Sequence, residues 1–202
     1  MIFQNAAGPL IEGILLFHDW VNIFVIAIAT AALYAIGIIL YHSKSIRILI
    51  DGQKIEFLWT IFPAIVLFAI VIPSLRLLYL TDEVGEIKRT VKTMGHQWYW
   101  QYEIPSFSPY DSYILNDKSF RLLETDHNLS TYSIQTTLIL VSAADVLHSW
   151  TVPTLAVKAD AVPGRINKLT IIANRPGLYY GQCSEICGRN HRFIPITLEV
   201  HA

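Results

Sequence analysis

Cys183 and Cys187 are the only two cysteines in the 202-residue chain, and they share one short segment with a histidine. It reads Gly181-Gln182-Cys183-Ser184-Glu185-Ile186-Cys187-Gly188-Arg189-Asn190-His191. Cysteine, three residues, cysteine, three residues and histidine bring two thiols and an imidazole onto one loop between two strands. A second imidazole is available from His148, in Asp145-Val146-Leu147-His148-Ser149-Trp150, at the end of another strand. Soft thiolates combined with imidazoles select copper or zinc over hard cations.

Three chemistries suit this set. A Cys183–Cys187 disulfide is possible in an oxidising compartment, and it suits a metal-free form, but it leaves both histidines unused. A closed Cys₂His₂ shell would hold one structural zinc. Copper could be held as a pair of ions, bridged by both cysteines and each capped by one histidine. The residues alone leave zinc and copper open. Two cysteines cannot provide a disulfide framework for a whole fold, and a net charge of −1 gives no sign of nucleic-acid binding.

The elements that position these donors fall into two classes. The chain is 53% hydrophobic and only 15% charged, too apolar for an ordinary soluble domain. The excess lies before Leu80. Val21 to Tyr41 and Phe57 to Leu75 contain no charged residue, and each with its flanks approaches the ~20 residues needed to span ~30 Å of hydrocarbon. The first run is too long for a signal peptide and lacks a basic start, since the first Lys or Arg is Lys44. Pro63 and Pro73 in the second run are tolerable in a membrane helix whose neighbours satisfy the freed carbonyls. Lys44, Arg47 and Lys54 place the connecting loop on the matrix or cytoplasmic side and both chain ends opposite. Trp20 and Trp59 suit helix ends at the interface.

From about Glu83 the pattern alternates, with Thr90–Met94, Thr136–Val141, Lys168–Ile172, Leu178–Tyr180 and Ile196–Val200 as strand candidates. Pro105, Pro109, Asn116-Asp117, Pro153, Pro163-Gly164 and Pro176-Gly177 supply turns between them. Ser106 to Asp117 reads as an exposed loop. The expected organisation is α+β: residues 1–82 a transmembrane hairpin with helices at about 18–42 and 57–80, and residues 83–202 a β-barrel or sandwich.

The cysteine segment resembles the copper loop of subunit II of the haem–copper cytochrome c oxidases, which reads closely as Cys-Ser-Glu-Ile-Cys-Gly-x-Asn-His. The likeness extends to Met94-Gly95-His96-Gln97-Trp98-Tyr99-Trp100, Val146-Leu147-His148-Ser149-Trp150, Pro163-Gly164-Arg165, Arg175-Pro176-Gly177-Leu178-Tyr179-Tyr180 and Trp59-Thr60-Ile61-Phe62-Pro63-Ala64. It implies a cupredoxin-like Greek-key domain on a two-helix hairpin. It implies that Cys183 and Cys187 bridge two coppers, that His148 and His191 each terminate one, and that the Glu185 carbonyl also ligates copper. The Glu185 carboxylate would reach a magnesium ion shared with subunit I. Electrons would pass from cytochrome c to haem a in subunit I, which also carries haem a3 and CuB, with subunit III as a further partner.

For Trp98 and Trp100 a β-sandwich core position is expected of one. The resemblance makes Trp98 the exposed point where electrons arrive. Basic cytochrome c would be steered by acids, for which Glu103, Asp111, Asp126 and Asp145 are the candidates. Glu56, just before the second apolar run, compensates a helix dipole or, by the resemblance, marks the mouth of a proton channel in subunit I. No acid lies within the apolar runs, so this chain carries no proton path alone. A mitochondrial inner membrane is expected, with the copper domain in the intermembrane space, ahead of a bacterial plasma membrane. The absence of a basic, Ser-rich presequence fits synthesis inside the mitochondrion.

The chain departs from the family pattern after the copper loop. Relatives read Asn-His-Ser-Phe-Met-Pro-Ile, and this chain reads Asn190-His191-Arg192-Phe193-Ile194-Pro195-Ile196. The usual methionine ligand position is therefore Ile194, which cannot coordinate. Either the site works without a thioether, or Ile194 and Arg192 reflect mitochondrial codes that read AUA as Met and AGA as Ser. Peptide mass spectrometry across Phe193-Ile194-Pro195 separates the two. Two rivals fare worse. A quinol-oxidase-type subunit II would lack the cysteine and histidine donors, and a free-standing copper-delivery protein would carry Met- or Cys-rich transport motifs.

Overall fold

The computed structural model describes residues 3–42, 51–83, 85–105, 107–115 and 120–202. It forms two compact units, Gly13–Asp82 and a second that joins Met1–Glu12 to Glu83–Ala202.

The first unit is a helical pair, α1 (Pro9–Tyr41), from Gly13 onward, and α2 (Gln53–Asp82). α1 starts at Pro9 rather than near residue 18. Proline is preorganised for the first helical position, and Glu12 in the first turn compensates the dipole. An apolar-run reading passes over both signals. The side chain of Asp51 accepts from the Gln53 amide at 3.3 Å, which moves the start of α2 ahead of residue 57. Lys44 and Arg47, which set the expected orientation, lie outside the described residues.

Leu40, Phe68 and Tyr34 point outward, and α2 buries none of its described residues. A helix apolar all round needs hydrocarbon as its solvent. Pro73 cannot donate to the Ala69 carbonyl four residues back. That carbonyl instead accepts from the Trp20 indole of α1 at 3.3 Å. Trp20 thus repairs the neighbouring helix, where an interface anchor was expected.

The second unit is built of β1 (Ile87–His96), β2 (Tyr99–Glu103), β3 (Tyr110–Ser112), β4 (Leu129–Tyr132), β5 (Thr136–Ala143), β6 (His148–Val152), β7 (Val157–Ala161), β8 (Asn167–Ile171), β9 (Gly177–Gln182) and β10 (Pro195–His201). The sheets run β3-β2-β1-β5-β8, β4-β10-β9 and β6-β7. β1 with β5 and β10 with β4 are parallel, and the other pairs are antiparallel. Val91, Trp100, Tyr102, Ile139 and Val141 from one sheet meet Leu129, Ile196 and Leu198 from another in a single core that also includes Cys183 and Cys187. The donors therefore sit at the end of the core, on a rigid frame.

Ser106 to Asp117 is not all loop. Tyr110–Ser112 pairs with β2, Ser112 against Trp100, and Ser112 is buried with its hydroxyl donating to the His127 carbonyl at 2.7 Å. Residues 106, 116 and 117 lie outside the described set. The amino-terminal residues also join the β unit. Ala7 is fully buried, its amide donates to the Thr154 carbonyl at 3.1 Å, and its carbonyl accepts from Asn174 at 2.7 Å. The Arg175 guanidinium donates to the Ala6 carbonyl at 2.7 Å.

Candidate metal centre

Cys183 directly follows β9, and its backbone is tied on both sides. Its amide donates to the Ile194 carbonyl at 3.0 Å, and Ser184 donates to the Ser149 carbonyl at 3.0 Å. A side chain at Gly181 would collide with the Thr151 carbonyl, so glycine lets β9 lie against β6. The loop reverses at Gly188, whose φ of +122° is open to glycine and strained for other residues. The His191 amide then donates back to the Gly188 carbonyl at 3.2 Å and opens a short 3₁₀ turn, His191–Phe193.

His148 is the first residue of β6, at one end of that strand as expected, and is completely buried. Its Nε2 lies 2.9 Å from the Asp145 carboxylate, and its Nδ1 faces the Cys183 sulfur at 3.8 Å. A proton on Nε2, held by the carboxylate, leaves the Nδ1 lone pair for a metal. The Cys187 sulfur lies 3.5 Å from His191 Nδ1. The donor atoms of His148, Cys183 and Cys187 lie within 4.8 Å of one another, and His191 stands outside that group. Both cysteines are free and buried. The Cys183 thiol also points at the Glu185 carbonyl, 3.4 Å away.

The electrostatics ask for a cation. Burial pushes the Cys183 thiol up, but hydrogen bonds from His148 and the backbone at Glu185 and Ser149 outweigh it and bring its pKa to about 7. Burial and the adjacent Cys183 thiolate push Cys187 up to about 12. Burial alone would lower His148, yet its contacts with Cys183 and Asp145 hold it above the usual histidine range. Asp145 is pushed up by burial but held lower overall by hydrogen bonds from His148, Val146 and Gln97. Without metal the site thus forms one thiolate easily and resists a second. A soft cation removes that resistance, and the donor set fits one.

The other sequence candidates divide. Ile194, at the methionine position, is fully buried in the core beside the cysteines and offers no donor. The Glu185 side chain is half-buried, and among the described residues it joins no other metal-ligating group. Trp100 is core, whereas Trp98 is half-buried in the turn between β1 and β2. The two positions would share a strand face, and the turn breaks the alternation. A Cβ at Gly188 would meet the Trp98 indole at 3.3 Å, so the ring lies against the loop beside Cys187. Glu103 pairs with Lys92 at 2.9 Å, Asp126 with His127 at 3.3 Å, and Asp111 accepts from Gln101 at 3.0 Å. Asp145 is engaged with His148. Glu56 is exposed in the first turn of α2.

Three supporting residues escaped the sequence reading. Asp145 was read only as a steering charge, although an acid three residues before a candidate ligand is a local signal for an orienting carboxylate. Gly95 faces His148, where a Cβ would meet the ring at 2.9 Å and Trp100 at 3.0 Å. Gln97 donates its side-chain amide to the Cys187 carbonyl at 2.8 Å. The last two depend on register between distant strands, which spacing does not reveal.

Comparison with known proteins gives a consistent assignment. The family model for the periplasmic domain of cytochrome c oxidase subunit II matches residues 89–201, and that for its transmembrane domain matches residues 1–77. Cytochrome c oxidase subunit 2 of Sympetrum striolatum is 50% identical over 205 residues, covering 98% of this chain and 89% of that protein. The crystal structure of the periplasmic domain of subunit II from Bradyrhizobium japonicum aligns with a TM-score of 0.57 at 39% identity, over 59% of this chain and 88% of that one. A subunit II captured in a mixed disulfide intermediate with a thioredoxin-like protein aligns at 0.53 and 38% identity, over 59% and 85%. The membrane helices, the cupredoxin-like β unit and the cysteine–histidine loop thus have one explanation: the chain belongs to the cytochrome c oxidase subunit II family, a subunit of a haem–copper oxidase.

Proposed function

We propose that this chain is the subunit through which electrons reach the oxidase, taking them from cytochrome c at a dinuclear copper centre and passing them to haem a in subunit I. The observation that carries this reading is the pairing of donors. His148 faces Cys183 at 3.8 Å and His191 faces Cys187 at 3.5 Å, while His191 does not lie within 4.8 Å of all three other donors. One tetrahedral ion with Zn–S near ~2.3 Å and Zn–N near ~2.0 Å would need all four donors about equally close, so two ions suit the set better.

His148, Cys183, Cys187 and His191 would hold the copper pair. The bound copper pair supplies one-electron exchange at low reorganisation cost. The chain's own residues do the rest. Asp145 fixes the His148 tautomer, Trp100 and Gly95 set the ring plane, and the core at Ile194 keeps water from the buried side. The Glu185 carbonyl would complete the copper shell, and its carboxylate would meet magnesium at the boundary with subunit I. Glu56 would stand at a proton channel mouth of subunit I, in a complex that also holds subunit III and couples oxygen reduction to proton translocation. The setting is the mitochondrial inner membrane, with the copper domain in the intermembrane space.

Replacing Trp98→Leu tests the reading. Copper content should stay at the wild-type value while electron arrival from cytochrome c slows by roughly 100-fold, the scale of a lost positioning contact. An unchanged rate by stopped-flow would reject Trp98 as the port. The steering acids give a second expectation. Glu103, Asp126 and Asp145 are each partnered within the domain, so turnover should fall less steeply with added salt than in a relative with free acids. A steep decline would contradict it.

A further inference from the structure

Trp98 can serve as a port only if its ring stays fixed against the copper loop, and the indole itself makes no polar tie. Its Nε1 is buried without a hydrogen-bond partner. Something else must hold the turn. Gln97, the residue before it, reaches across 90 positions of sequence and donates its side-chain amide to the Cys187 carbonyl at 2.8 Å. Its backbone amide donates to the Asp145 carboxylate at 2.6 Å. The other oxygen of that carboxylate accepts from His148 Nε2 at 2.9 Å. The packing agrees, since a Cβ at Gly188 would meet the Gln97 amide nitrogen at 3.2 Å as well as the Trp98 ring.

From this arrangement we propose that Gln97 is a positioning residue for electron transfer. It clamps the Trp98 turn to both donor pairs, to Cys187 through its side chain and to His148 through Asp145. The proposal rests on the reading of Trp98 as the port, and it assigns Gln97 no ligand role, because its amide points at a carbonyl and not at a sulfur. The backbone tie persists in any substitution. The side-chain tie is therefore the variable part, and it needs a donor of glutamine's reach. Methionine matches the length and flexibility of glutamine but cannot donate.

The test compares wild type with Gln97→Met in the assembled oxidase and in the metal-free full chain in detergent. In the oxidase, Gln97→Met should keep wild-type copper content and an unchanged KM for cytochrome c. Its rate of electron arrival should fall roughly tenfold, within the loss expected of a sub-ångström to 1 Å misplacement. Reduction by a small inorganic reductant that bypasses Trp98 should be unaffected. In the metal-free chain, amide hydrogen exchange should quicken at residues 97–98 and 187–190 only. Unchanged arrival rate and unchanged exchange would overturn the proposal. So would loss of copper, because the hydrogen bond would then be holding the ligands and not the turn. A wild-type protein without copper would refute the underlying function instead, while the exchange experiment would still decide whether Gln97 makes the tie.

Discussion

Cys187→Ser should reduce copper from two ions per chain to less than one and lower cytochrome c oxidation by roughly 100-fold or more. Replacing an outer-shell partner of a metal ligand already costs ~10–100-fold, and a bridging ligand lies at or beyond that upper end. Serine is the nearest polar replacement in size, slightly smaller, and its hydroxyl keeps a polar group facing His191 Nδ1, which lies 3.5 Å from the sulfur. The fold should therefore survive with a loss of about 1 kcal/mol, the scale of an altered buried hydrogen bond. Metal analysis together with a thermal melt separates the two effects. A copper-replete Cys187→Ser protein with wild-type turnover would refute a bridging role. Cys183→Ser should behave alike in copper content and should additionally strip His148 of its sulfur neighbour.

Gly95→Ala carries the second large effect, although Gly95 contributes no donor atom. The new methyl group would lie 2.9 Å from His148 Cδ2, 3.0 Å from its Cγ and 3.0 Å from Trp100 Cζ3. Neither ring can yield, since both are completely buried. The backbone cannot yield either, because Gly95 pairs with Trp100 on one side and Ala143 on the other. The overpacking should cost about 1–3 kcal/mol of stability. Because the displaced ring is a proposed copper ligand, copper affinity should also fall roughly tenfold, as for other disturbed ligand supports. Gly85→Ala is the control, with only Thr136 Oγ1 at 3.4 Å, and should stay within about 0.5 kcal/mol of wild type. Competitive copper titration and chemical denaturation of both variants check this. A Gly95→Ala protein equal to Gly85→Ala would show that the pocket around His148 is looser than its geometry.

These two residues mark where the sequence was legible and where it was not. The donors could be read because thiols and imidazoles are chemically rare, and because Cys183, Cys187 and His191 lie within one loop. The membrane hairpin could be read because a charge-free run of helical length has few other uses. The pairing of His148 with Cys183 could not be derived from spacing, since it depends on how closely β9 lies on β6. That approach is set by Gly181 against Thr151, a contact between distant segments. Gly95 was hidden for the same reason: only the parallel pairing of β1 with β5 and the position of β6 bring it against His148. Asp145 is visible in the sequence as an acid, but its His148 partner is not, so the carboxylate that holds His148 reads as a surface charge alone. Short β3 was missed because Tyr110-Asp111-Ser112 sits among turn-forming residues, and its strand character comes from pairing with β2 rather than from its own sequence.

Ile194 is the place where sequence and structure meet most directly. It fills its site completely, and methionine has a similar volume and a flexible chain. The fold therefore accepts either residue, and the difference would fall on a bound metal, whose potential a thioether donor tunes. The four cysteine and histidine donors do not depend on that position. The central claim is that they hold two coppers and not one other ion. Electron paramagnetic resonance combined with metal analysis of the purified oxidase tests it most directly. Two coppers per subunit beyond the one of subunit I, sharing one unpaired electron, are the expected result; a single zinc at these residues would contradict the account.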